Sequence, residues 1–81
     1  MPIVFSEHAK IQLKKRKISQ KIIKHVVYTS KTIIPSYKTR KLREVKIRGK
    51  ILRVVTRTEG SKITVITAYY LKDKNFNYYE N

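Results

Sequence analysis

The spacing of the apolar residues changes near residue 30, and this change restricts the fold more than any other feature. Before it, Phe5, Ala9 and Leu13 recur every four residues, which is the spacing of one helical face. After it, the segment 42–48 alternates weakly through Val45 and Ile47, and the segments 51–58 and 63–71 are rich in β-branched residues. We therefore expect an α+β fold, with helices first and a sheet second.

Two serines divide the helical part into two helices. Ser6 is a candidate N-cap for the first helix, whose pattern stops near Lys17. Ser19 is a candidate N-cap for the second, with Ile18 and Ile23 at the positions of a hydrophobic staple. The second helix is expected to bury a stripe made of Ile22, Ile23, Val26 and Val27.

The second part of the chain predicts three or four antiparallel strands joined by hairpins. Gly49 and Gly60 stand where hairpin turns need a positive φ. Pro35 cannot donate to a β ladder, so the segment 32–38 is expected to be an edge strand or an extended arm. The predicted architecture is two N-terminal helices packed on one face of a three- to four-stranded antiparallel sheet.

The arginines indicate which face of the sheet takes the helices. Arg53 and Arg57 share one face of their strand, and two guanidinium groups are costly to bury. The other face, with Leu52 and Val54, is therefore expected in the core. On the last strand we expect one set of side chains in the core, namely Thr64, Ile66, Ala68 and Tyr70. The other set is then expected on the open face, namely Ile63, Val65, Thr67 and Tyr69.

The chain is predicted to form one small domain, residues 1–71, followed by a polar tail, 72–81. A chain of 81 residues buries only about 60–65% of its unfolded surface. It has no cysteine, no apolar run near the roughly 20 residues that span a bilayer, and no signal-peptide pattern at its start. We expect a cytoplasmic protein that does not bind membranes.

Charge indicates the kind of partner. Twenty Lys and Arg residues against five Asp and Glu residues give a net charge of +15. Self-repulsion at this charge opposes compaction, and nucleic acid or an acidic protein relieves it. The acids are scattered singly and no glycine-rich nucleotide motif is present, so we expect neither a metal nor another cofactor.

Cleavage of RNA without a metal is compatible with this composition, because RNA supplies its own nucleophile, the 2′-hydroxyl. The protein needs a proton acceptor, a proton donor and cations at the phosphate. We interpret His8 as a candidate acceptor, Arg16 and Arg53 as phosphate clamps, and Tyr69 as a stacking residue or acid. Each also has an ordinary structural reading: a packed or capping histidine, a helix-end arginine, a solvated strand face and a half-buried sheet aromatic.

Further cations are expected to form a diffuse surface for the nucleic-acid backbone, namely Lys10, Lys14, Lys15 and Arg57. A solvated charged surface is the plain alternative for these residues. His25, with charged and apolar neighbours on the second helix, is interpreted as a surface residue.

Short motifs in the chain resemble those of a family of small bacterial and archaeal domains of unknown function. Its opening reads His-Ala, then Arg-Met, Arg and Ile-Ser, and in FSEHAKIQLKKRKIS the matching positions are His8, Ala9, Leu13, Arg16, Ile18 and Ser19. Gln12 stands where the family has its first helix arginine. GKILRVVTR and ITVITAYY are similar to the family's closing segments, so the resemblance spans roughly residues 4 to 71.

That family is usually grouped with RelE-like toxins, compact ribonucleases whose helices pack on one face of an antiparallel sheet. The resemblance implies a metal-independent endoribonuclease toxin that acts on RNA, including ribosome-associated mRNA, and is silenced by an acidic or disordered antitoxin. The resemblance assigns His8, Arg16 and Arg53 to the catalytic site, and Tyr69 is a further candidate. Two alternatives stay open, a non-catalytic nucleic-acid-binding module and a basic subunit whose partner is an acidic protein.

Overall fold

A computed structural model describes residues 2–72. A short strand, β1 (Ile3–Phe5), precedes two helices, α1 (Glu7–Arg16) and α2 (Gln20–Thr29). Four further strands follow, which are β2 (Thr32–Pro35), β3 (Arg40–Ile47), β4 (Lys50–Glu59) and β5 (Lys62–Lys72). No helix in this range has the length and apolar character needed to cross a membrane.

The five strands form one mixed sheet in the order β1-β5-β4-β3-β2. The pairs β2–β3, β3–β4 and β4–β5 are antiparallel. Strand β1 runs parallel to β5, with Ile3 opposite Ile63 and Phe5 opposite Val65. The α+β class with two helices is confirmed, but the expectation of three or four antiparallel strands is wrong. A three-residue strand is too short to show a period, and its partner lies at the other end of the chain.

Both helices begin at the serines that the sequence predicts. The Ser6 hydroxyl accepts a hydrogen bond from the Ala9 N–H at 3.0 Å, and the Ser19 hydroxyl accepts one from the Ile22 N–H at 3.1 Å. Helix α1 ends at Lys17, which has a φ of 57° in the left-handed region. This single residue reverses the chain so that α2 can start almost at once.

Both helices pack on the same face of the sheet, which we call the helix face; the opposite one is the open face. The buried apolar cluster consists of Phe5, Ala9, Leu13, Ile18, Ile23, Val26, Val27, Leu52, Val54, Ile63, Val65 and Ala68. Leu52 and Val54 are both fully buried, as predicted. Ile22 was expected in the buried stripe and is 42% exposed, because α2 contacts the sheet through the side that carries Ile23, Val26 and Val27.

A β-bulge interrupts the pairing of β4 with β5. Val55 lies opposite Thr67, but the next residue, Thr56, lies opposite Val65. Ile66 is therefore the extra residue on β5. The bulge exchanges the faces of all β5 side chains on its N-terminal side.

This exchange corrects part of the predicted pattern. Ala68 and Tyr70 lie on the helix face, opposite core residues of β4, as expected. Thr64 pairs with Arg57 and so lies on the open face, whereas the prediction placed it in the core together with Ile66. Ile63 and Val65 were expected on the open face and instead lie in the buried cluster. The prediction assumed unbroken alternation along the strand, which a bulge removes.

Two-residue turns join β3 to β4 and β4 to β5. Arg48 and Gly49 have φ values of 47° and 78°, so both are left-handed, as a type I′ turn requires. This turn places Ile47 opposite Lys50 and thereby sets the register of the whole β3–β4 pair. Gly60, with a φ of 60°, opens the second turn.

Strand β2 lies at the edge of the sheet and pairs with β3 alone. Its residues are exposed and it ends at Pro35, which confirms the segment as an edge strand. The predicted tail, 72–81, begins with the last residue of β5, and its other residues lie outside the described range.

Candidate nucleic-acid interface

The open face carries a row of three interacting side chains across β3, β4 and β5, which we call the central row. Glu44, Arg53 and Tyr69 lie directly opposite one another in the register. Arg53 Nε donates to Glu44 Oε2 at 2.5 Å, and Arg53 Cζ lies 5.9 Å from the centroid of the Tyr69 ring. Both contacts hold the guanidinium in one orientation over the sheet.

The surroundings of Arg53 keep it charged. Hydrogen bonding with Tyr69, and secondly with Glu44, raises the pKa of the Arg53 guanidinium. The Glu44 side chain is 13% exposed and the Arg53 side chain is 26% exposed, so this ion pair is better shielded from water than an ordinary surface pair. A phosphate that binds Arg53 must therefore accept from the terminal nitrogens of the guanidinium or displace the Glu44 carboxylate from Nε.

Arg16 reaches the same region from the C-terminal end of α1. Its Nη1 donates to the Ala68 carbonyl oxygen at 2.7 Å and to Thr67 Oγ1 at 3.3 Å. Because β1 ends at Phe5, the following part of the β5 edge has no neighbouring strand, and Arg16 satisfies one of its carbonyls. Thr67 and Tyr69 are two residues apart on the open face, which is about 6.5–7 Å. Arg16 is therefore bonded to the two residues of β5 that precede Tyr69, the β5 member of the central row.

His8 lies in the first turn of α1 and is exposed. Spacing by four residues puts His8, Gln12 and Arg16 along one side of the helix. At 1.5 Å per residue, about 12 Å of helix axis separates His8 from Arg16. The structure places Arg16 against Thr67 and Ala68, and it places Arg53 against Tyr69, the next residue of β5. His8 lies on the same side of α1 as Arg16 and is separated from it by this length of helix.

The remaining predicted cations lie in two places. The lysines on α1 are exposed, namely Lys10, Lys14 and Lys15, and the first of them pairs with Glu7 at 3.4 Å. Arg57 lies on the open face, where its Nε bonds Glu59 Oε1 at 3.2 Å. Arg40 lies directly opposite Arg57 on β3. Two like charges facing each other across strands are destabilising unless an anion binds between them.

The two arginines on the open face of β4 are separated by an apolar position. Arg57 is four positions after Arg53, which corresponds to about 13 Å along the strand. Val55 stands between them, 7% exposed, in a row with Leu42 and Thr67. The open face thus alternates charged and apolar rows.

Sequence reasoning did not identify Glu44, Arg40 or the anchoring role of Thr67. The signal for Glu44 was the turn at Arg48 and Gly49, because a two-residue hairpin places Glu44 and Arg53 at equal distances from its centre. Nothing in the sequence indicates the Arg16 contact, since it depends on the angle of α1 to β5. Among residues 2–72, no three His, Asp or Glu side chains lie together as a metal site requires.

The sequence of the chain matches a protein family over most of its length. The family model described as Domain of unknown function (DUF4258) matches residues 5–70, which include both helices and the whole central row. Comparison with curated proteins gives no match, and comparison with solved structures gives none.

Proposed function

The chain belongs to the DUF4258 family, and we propose that it is an RNA-directed protein, a metal-independent endoribonuclease of the RelE-like type that acts as the toxin of a toxin–antitoxin pair. The observation that supports the proposal is a pair of contacts on neighbouring parts of β5. Arg53 lies beside the Tyr69 ring, and Arg16 donates to Thr67, two residues before Tyr69. The net charge of +15 supports a polyanionic substrate. Within residues 2–72, both helices pack on the other face of the sheet, so no helix covers the central row.

The proposed reaction is a transfer within the RNA. The 2′-oxygen loses its proton to a base and attacks the adjacent phosphorus, while the bond from phosphorus to the 5′-oxygen of the next nucleotide breaks. The leaving oxygen takes a proton from an acid. The products are a 2′,3′-cyclic phosphate and a 5′-hydroxyl, and fixed cations stabilise the charge that develops on the phosphate oxygens.

Arg16 and Arg53 suit the role of fixed cations because each is oriented by a bond within the protein. The Ala68 carbonyl holds Arg16, and the Glu44 carboxylate holds Arg53. A guanidinium has five N–H donors, so each can donate to a phosphate as well. Side chains that are oriented before the substrate arrives lose less conformational freedom on binding.

Tyr69 and His8 are assigned the proton transfers. The Tyr69 ring lies beside Arg53, where it can stack a base or donate a proton to the leaving oxygen. His8 is assigned as the proton acceptor. Since it lies about 12 Å along α1 from Arg16, the RNA has to run along that side of the helix for His8 to reach the 2′-hydroxyl.

A non-catalytic nucleic-acid-binding module is the second candidate, and one observation favours it. Glu44 occupies the Nε of Arg53, and the central row contains no histidine. A surface that binds phosphate without cleaving it needs the cations and the stacking tyrosine but no proton acceptor.

Cleavage of single-stranded RNA in EDTA, with DNA of the same sequence as the control, tests the proposal. We expect RNA cleavage that leaves a 2′,3′-cyclic phosphate, and intact DNA, because DNA lacks the nucleophile. Loss of activity in EDTA contradicts the metal-free mechanism. Tight binding of both nucleic acids at low salt without cleavage supports the binding module instead.

Matched variants test the site. Arg53→Gln is expected to lower the rate at least about 100-fold, because it removes a cation that contacts the reacting phosphate. Arg57→Gln, on the same face of the same strand, is expected to reduce the rate only a few-fold. Wild-type rates in both His8→Ala and Arg53→Ala would contradict this choice of site.

A further inference from the structure

A groove on the helix face lies between α2 and the end of β3. Its volume is about 470 Å³, and it is lined by Lys21, Ile22, His25, Val26, Val45 and Ile47. Four of these six residues are aliphatic, and Ile22 is 42% exposed. The groove is therefore an apolar surface that the two helices of this chain leave uncovered.

The edges of the groove are cationic. Lys21 and His25 lie along the α2 side. Lys50 lies directly opposite Ile47 on the helix face, with its Nζ 5.7 Å from the centroid of the Tyr70 ring. Within residues 2–72 every acid is ion-paired away from the groove, in the pairs Glu7–Lys10, Glu44–Arg53 and Glu59–Arg57. No carboxylate of the described chain therefore offsets the charge around the groove.

We propose that this groove binds an amphipathic helix of an acidic protein partner. The apolar stripe of that helix, at positions i, i+3 or i+4, and i+7, fills the groove, and its flanking carboxylates lie over Lys21 and Lys50. The inference deepens the proposed function and rests on it for the partner's role as antitoxin. It adds where the partner binds and which chemistry recognises it.

Other occupants fit the groove less well. A small molecule needs several convergent polar groups, and the groove offers only a lysine and a histidine at one edge. A second copy of this chain brings another +15 to an already cationic surface. RNA has no aliphatic groups to cover Ile22, Val45 and Ile47. An acidic helix satisfies both the apolar lining and the charge.

The position of the groove has a consequence for regulation. The groove and the central row lie on opposite faces of the sheet, because Val45 and Ile47 point to the helices while Glu44 points away from them. A helix in the groove therefore leaves Arg53 and Tyr69 uncovered. A partner that silences cleavage has to extend beyond the groove or act through its negative charge.

Fluorescence anisotropy with two labelled peptides of roughly 18 residues tests the inference. Both peptides have the same leucine, glutamate, glutamine and alanine composition; one places leucine at helical spacing and the other is scrambled. We expect the amphipathic peptide to bind the full chain at least about tenfold more tightly, because only it can fill the groove. Equal affinities would overturn the inference, since charge alone would then explain binding.

Two exposed isoleucines provide the matched variants. Ile22→Gln is expected to weaken binding of the amphipathic peptide about tenfold, whereas Ile11→Gln, at a position 53% exposed on α1, is expected to leave it unchanged. Lys21→Glu is expected to weaken binding more than Lys14→Glu. Equal losses within either pair would overturn the site. Circular dichroism on each variant shows that the fold is retained.

Vesicles of phosphatidylcholine and phosphatidylglycerol provide a second probe. Binding to these vesicles that Ile22→Gln abolishes, with no preference between the peptides, would overturn the inference in favour of a lipid surface. RNA cleavage assayed on the same samples separates the two proposals. If RNA is cleaved but the two peptides bind equally, the groove proposal is contradicted and the ribonuclease proposal stands. If the amphipathic peptide is preferred but RNA is not cleaved, the ribonuclease proposal is contradicted and the groove proposal stands.

Discussion

The helix face and the open face belong to the same strands but follow different rules. On β4, Leu52 and Val54 point to the helices and are fully buried, while Arg53 between them points away and pairs with Glu44. Leu13 and Ile23 from the two helices close the apolar side. Burial of apolar side chains on the helix face stabilises the fold. The open face does not have to supply this burial and can therefore carry charged side chains.

The helix face also carries buried and half-buried polar groups on β3 and β4. Thr56 is fully buried there, and its Oγ1 donates to the Lys41 carbonyl oxygen at 3.2 Å and accepts from Arg43 Nε at 3.1 Å. Each polar group is satisfied by a neighbour on β3. Arg43 is therefore held in a structural bond beneath the surface, whereas the central row combines such bonds with guanidinium donors that remain accessible.

The largest expected effect is on stability, and it compares neighbouring residues on opposite faces of β4. Leu52→Ala is expected to lower the free energy of unfolding by about 2–5 kcal/mol, because it leaves a cavity under both helices. Ile51→Ala, on the open face, is expected to cost less than about 1.5 kcal/mol. Urea denaturation measures both. Equal losses would contradict the assignment of the core to one face.

Glu44→Gln tests whether the open face trades stability for binding. We expect the free energy of unfolding to fall by about 1–3 kcal/mol, because Arg53 loses a charged partner in a shielded position. RNA affinity is expected to rise several-fold, because the guanidinium no longer has to leave a carboxylate. Lower RNA affinity in this variant would indicate that Glu44 is needed to orient Arg53.

Arg16→Gln tests the contact between α1 and the free edge of β5. Loss of the bond to the Ala68 carbonyl is expected to cost about 0.5–1.5 kcal/mol in unfolding free energy. Lys14→Gln, on the same helix and exposed, is expected to change stability by less than about 0.5 kcal/mol. A cost as small as that of Lys14→Gln would show that the edge does not need Arg16.

The smallest expected effect is on salt dependence. The logarithm of the RNA-binding constant falls linearly with the logarithm of salt concentration, by about 0.7 per phosphate contact on a single strand. Arg57→Gln is expected to reduce this slope by about one contact. Lys24→Gln, on α2 and away from the open face, is expected to leave the slope unchanged. The reverse result would place the RNA on the helix side.

The features that the sequence predicted correctly depend on a few neighbouring residues. Ser6 and Ser19 cap the helices because a serine before a helical period bonds the N–H three residues later. Gly49 and Gly60 mark the turns because two-residue hairpins need a positive φ. Such signals are contained in a window of five or six residues, and the structure confirms each of them.

The features that the sequence did not predict depend on distant residues. Strand β1 exists because Ile3 and Phe5 pair with β5, and three residues carry no readable period. The bulge at Ile66 is equally hidden. Counting from the turn at Gly60 without a bulge would place Ala68 opposite Arg53, but the extra residue brings Tyr69 there instead.

The candidate site shows the same division. Residue types and faces predicted that Arg53 and Tyr69 would share the open face, and the structure places them opposite each other. The carboxylate partner Glu44 and the Arg16–Thr67 contact need the strand register and the angle of a helix, which the sequence does not state directly. Residue types and spacing thus predicted which side chains share the open face, but not how these side chains restrain one another.

Methyl and amide NMR shifts on addition of a 2′-O-methyl RNA, which cannot be cleaved, test most directly whether the open face binds RNA. We expect the largest shifts at Val55, Thr67 and Tyr69, with Val45 and Ile47 in the groove unchanged. Shifts concentrated at Val45 and Ile47, with the central row unaffected, would contradict the assignment of RNA to the open face.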